Sequence, residues 1–108
     1  MDKITLEKMA TSAFQNLKEK RDNLFTATEN TIEAQAIYEL AKVAAFSSGK
    51  IDGKNEEARK NQLVEVTKVQ LAELRSVEGV ERKERYQYDL AQTDVDTVKT
   101  LLRIVELP

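Results

Sequence analysis

Cysteine and histidine are both missing from this chain of 108 residues. Without cysteine there can be no disulfide, thiolate metal site or cysteine nucleophile, and the usage fits a reducing compartment. Without histidine the commonest general base and zinc ligand is gone. Proline occurs once, at the last position, and glycine three times, so few residues interrupt a helix. No apolar run approaches the length that spans a bilayer, and the stretch from Met1 to Lys8 lacks the apolar core of a signal peptide. These absences lead us to expect a cytoplasmic protein with no membrane contact, no cofactor and no metal.

What is present points to long helices. Charged residues make up 33% and aromatics 6%, and the formal net charge is −2. Such a composition belongs to extended helical rods. Basic and acidic residues are balanced on either side of Lys50, so neither half is a basic arm or an acidic tail. The length allows a single helical domain spanning 1–108.

The place where the chain must stop and restart lies between Ser47 and Gln62. Gly49 follows an apolar run and suits a left-handed helix C-cap. Gly53 is a second position where glycine's backbone freedom is expected to matter. Asn55, followed by Glu56 and Glu57, reads as the next N-cap, with Asp52 as its competitor. Ile51 is the large apolar residue between stop and start, placed to plug the end of a core. A phosphate loop does not fit, because Ser48 and Asn55 stand where that pattern needs glycine and Ser or Thr. The alternating ligands of a calcium loop are absent as well.

Helical periodicity then predicts an all-α antiparallel hairpin, with a helix over about 5–48, a turn at 49–54 and a second limb over 55–106. On the first limb Phe14, Leu17, Arg21, Leu24, Thr28, Ile32, Ala36, Leu40 and Ala44 step by three or four. A kink is possible at 26–31, where Thr, Asn and Glu compete for backbone hydrogen bonds. From Ile32 to Phe46 little polar face remains, so this segment must be covered from several sides. On the second limb a stripe from Leu63 to Val105 does not slip, yet Ser76 and Gly79 predict a break or kink near 76–79. Glu78 with Arg82, Glu81 with Arg85, and Glu56 with Lys60 are spaced as ion pairs. The apolar C-terminal run 101–108 is expected to pack. Ile37, Leu40, Phe46, Leu63, Leu74, Val95, Val98 and Leu102 are the expected packing residues. Two helices cannot hide so much apolar surface, so the hairpin is expected either to fold its second limb into two helices or, in preference, also to associate with a copy of itself into a homo-oligomeric multi-helix bundle.

Little else suggests chemistry. Glu29 with Glu33 and Asp89 with Asp96 are helically spaced carboxylates, but a di-metal bundle site wants histidines too. No hydroxyl has a neighbouring base, so no enzyme is expected. Two basic sets, Lys18, Lys20 and Arg21, and Arg82, Lys83 and Arg85 with Tyr86 and Tyr88 beside them, could meet nucleic acid. Glu78, Glu81 and Glu84 offset the second set, so a solvated face explains it better.

The run Ile51-Asp52-Gly53-Lys54-Asn55, then three residues, Arg59, two residues, Gln62-Leu63, resembles a turn motif of small uncharacterised helical proteins carried by bacteriophages and prophages. The resemblance covers the turn closely and the last helix loosely. Members of that group often have proline where this chain has Val77-Glu78-Gly79. The resemblance implies a phage context and transfers no catalytic residue. The resulting expectation is a non-enzymatic accessory protein acting by self-association and protein–protein interaction. The alternative is a nucleic-acid-binding accessory protein in phage replication or recombination.

Overall fold

Asp2 begins the fold by capping. Its Oδ1 accepts the Thr5 backbone N–H at 2.7 Å, satisfying one of the orphan donors at a helix start. The computed structural model describes residues 2–107, with three helices: α1 (Lys3–Ser47), α2 (Glu56–Val66) and α3 (Lys68–Glu106). The fold is all-α, and α1 packs against α3 as a helical hairpin. No helix is long and apolar enough to cross a membrane among the described residues.

No interruption occurs at 26–31, since α1 is continuous through it. The Thr31 hydroxyl donates to the Ala27 carbonyl at 3.1 Å and reaches the Val77 carbonyl at 3.4 Å. A residue that competes with the backbone in isolation is here tied to the opposite helix.

The break expected near 76–79 is likewise absent: Ser76, Val77, Glu78 and Gly79 all lie inside α3. The interruption falls at Thr67. This residue is fully buried, with φ −104° and ψ 16°. Its hydroxyl and its backbone N–H both donate to the Leu63 carbonyl, at 2.6 and 3.0 Å. Two donors on one carbonyl distort a helix locally. The preceding β-branched Val64 and Val66 already weaken helix preference there. At 76–79 the continuous stripe outweighs one glycine's penalty of about 1 kcal/mol.

Two compact units make up the chain. Unit 1 comprises Met1–Thr26 with Glu81–Pro108, and unit 2 comprises Ala27–Val80. In unit 1, Leu6 and Ala10 of α1 are buried, as are Ala91, Val95 and Val98 of α3. In unit 2 the buried residues are Ala27, Ala34, Ala45, Thr67 and Leu74.

The buried face of α1 is not the one its apolar residues suggested. Residues 6, 10, 13, 17, 20, 24, 27, 31, 34, 38, 41 and 45 are all buried or half-buried, with steps alternating four and three. That is a 3.5-residue repeat, the spacing of a coiled-coil seam. The expected face left this seam after Leu24 because successive steps of four each advance about 40° around an α-helix. Hence Ile32 and Leu40, expected on the inward face, are exposed. On α3 the expected stripe is nearly the seam, from Gln70 to Leu102, with half-buried Glu81 in place of exposed Val80.

Candidate interaction surface

The turn of unit 2 is closed by its own side chains. After Ser47 the Gly49 N–H donates to the Phe46 carbonyl at 3.3 Å and the Lys50 N–H to the Ala45 carbonyl at 3.2 Å. With Gly49 at φ 75°, this is a Schellman cap. Asn55 is the N-cap of α2, its Oδ1 accepting the Ala58 N–H at 2.8 Å. Gln62 does the rest. Its Oε1 accepts the N–H groups of Asp52 and Gly53 at 3.1 and 2.7 Å, and its Nε2 donates to Asp52 Oδ1 at 2.7 Å. Arg59 Nη1 donates to the Gly53 carbonyl at 3.2 Å.

Gly49 and Asn55 therefore act as expected, while Gly53 differs. It is not left-handed, since Gly49 has the only positive φ among the described residues. Glycine is needed there because a Cβ would stand 2.9 Å from the Arg59 backbone nitrogen and from Ala58 Cβ. Asp52 is the acceptor and donor partner of Gln62 instead of a cap. Ile51 is half-buried. Arg59 and Gln62 stand three residues apart on the turn-facing side of α2, a spacing from Asp52-Gly53 that the sequence carried.

Along α1 in unit 2, side-chain size is inverted relative to a globular core. Ala34, Ala41 and Ala45, with Tyr38, make the seam, whereas Ile32, Ile37, Leu40, Val43 and Phe46 face outward. Leu40 is 68% exposed. Small residues on the seam let two helices approach closely, and they leave the large residues uncovered. Of the expected packing residues, Leu74, Val95 and Val98 are buried and Leu63 and Leu102 half-buried, but Ile37, Leu40 and Phe46 are exposed. A shallow groove continues this surface onto α3, with Ala34 and Val77 inside and Ile37 and Val69 at its edges. Val69 is 77% exposed. Gln70 also lines the groove, and its buried Oε1 has no hydrogen-bond partner.

In unit 1, Phe14 is half covered, with Lys99 Nζ 5.6 Å from its ring centre. Of the C-terminal run, Leu101 and Leu102 are half-buried while Ile104, Val105 and Leu107 are exposed; Pro108 lies outside the described residues.

The basic sets both fall in unit 1. Lys18, Arg21, Arg82, Lys83 and Arg85 are exposed and Lys20 is half-buried on the seam. Ala13 shares a groove with Asp94 and Val98, a register that sets residues 18–21 opposite about 86–90, roughly one helical turn from 82–85. Arg21 Nε lies 3.7 Å from Asp22. Glu78 pairs with Arg75 at 3.4 Å instead of with Arg82. Compared with family models, with curated proteins and with solved structures, the chain matches none.

Proposed function

We propose that this chain is a non-enzymatic, phage-type accessory protein that works by self-association and protein–protein interaction in the host cytoplasm. One observation carries the reading: between Ile32 and Phe46 three alanines and Tyr38 line the seam, and Ile32, Ile37, Leu40, Val43 and Phe46 lie outside. Large apolar side chains left exposed on one helix segment are the kind of surface that a partner covers. The phage context rests on the resemblance at the turn, whose matching residues Asp52, Gly53, Asn55, Arg59 and Gln62 are used up in holding the turn together.

Self-association is tested by light scattering on size-fractionated protein over a range of concentrations. The expected result is a mass that is a multiple of the 12.3 kDa chain. A helical, cooperatively melting monomer at every concentration overturns it. The nucleic-acid reading has less behind it, because the two basic sets are offset and interleaved with carboxylates.

A further inference from the structure

Resting on the proposal of self-association, we infer that residues 33–47 of α1 form a two-fold contact with the same residues of a second copy, antiparallel and centred on Leu40. Four exposed apolar residues, Ala36, Ile37, Val43 and Ala44, are arranged symmetrically about exposed Leu40 along the helix, while Gln35, Glu39 and Phe46 have no exposed counterpart. With Leu40 facing its own copy, Ile37 of one copy meets Val43 of the other, and Ala36 meets Ala44. Large residues oppose large ones and alanines oppose alanines, which lets the helices close to the short separations that small residues permit. All five positions are exposed in the single chain. Such an isologous contact uses one patch twice and closes on itself.

Charge selects the antiparallel sense. Glu29 and Glu33 stand at one end of the stripe and Lys50 at the other, all exposed. Antiparallel pairing brings acids toward lysine at both ends, whereas parallel pairing stacks acid on acid. Self-complementarity selects a second copy as the occupant, because one patch supplies both sides of the contact.

The absence of native cysteine makes the test direct. Under mild oxidation Leu40→Cys should form a disulfide-linked dimer, and Val64→Cys, exposed on α2, should not. Mixing Ile37→Cys with Val43→Cys protein should yield the mixed dimer in preference to either homodimer. Leu40→Glu, at an exposed position that leaves helix content intact by circular dichroism, should weaken dimerisation roughly a hundredfold by opposing two carboxylates across the axis. A wild-type monomer ends both this contact and the proposed self-association. A wild-type oligomer that Leu40→Glu leaves intact, with no cross-link at Leu40→Cys, ends this contact alone. Preferential 37–37 and 43–43 linkage means a parallel pair and overturns the assignment too.

Discussion

Gln62 holds Gly53 from nine residues away: its side-chain oxygen accepts the glycine N–H at 2.7 Å while its amide nitrogen grips Asp52 at the same distance. The side chain thus stands in for the backbone partners that a loop between two helices lacks. Gln62→Ala should lower stability by about 1–2 kcal/mol, since it frees two backbone donors and a carboxylate. Chemical denaturation of Gln62→Ala beside Asp52→Ala measures this. An unchanged midpoint for both variants contradicts the clamp.

The two turn glycines should respond differently to substitution. At Gly49, with φ 75° and open space around the missing Cβ, alanine should lose about 1 kcal/mol, and asparagine less, because asparagine tolerates the left-handed region. At Gly53 any side chain meets the Arg59 backbone at 2.9 Å, so asparagine should be at least as damaging as alanine. Thermal melts of the four variants decide the matter. Partial rescue by asparagine at Gly53 is the result that contradicts the steric assignment.

Gly79 lies inside α3, so Gly79→Ala should raise stability by about 0.5–1 kcal/mol through helix preference. A comparable loss means that helix preference does not control this half-buried position.

Asp2 should make the N-terminus of α1 sensitive to acid. The Thr5 backbone N–H, then its side chain, lowers the Asp2 carboxyl below its ordinary 3.8. A carboxyl lowered in the folded state contributes stability that is present above the unfolded value and lost as pH falls through the folded one. Protection of the Thr5 amide, its exchange relative to an unstructured peptide at the same pH, should therefore fall only below about pH 4, by the ordinary range for aspartate. Asp2→Asn should remove that loss of protection while keeping an N-cap. Protection in the wild type that does not change between neutral pH and about pH 3 rules the coupling out.

No DNA binding is expected in low-salt anisotropy titrations with single- and double-stranded oligonucleotides. Binding that falls steeply with salt and is lost in a triple Arg82→Gln, Lys83→Gln, Arg85→Gln variant favours the nucleic-acid alternative.

The sequence by itself determined the helical class, the stop at Gly49, the restart at Asn55 and most of the α3 seam. These follow from local chemistry: caps, backbone freedom, and a stripe in which Leu74, Ala91, Val95 and Val98 are apolar and stand at the right spacing. Tertiary structure decided the face of α1 and the place of the interruption in the second limb. Along 32–46 apolar residues surround the helix, so periodicity offers several faces and only the partner helix chooses one. It chose the row of Ala34, Tyr38, Ala41 and Ala45, whose alanines permit close approach. The interruption likewise went to Thr67, where burial sends the hydroxyl to the Leu63 carbonyl, and not to Gly79, where α3 packing holds the helix together.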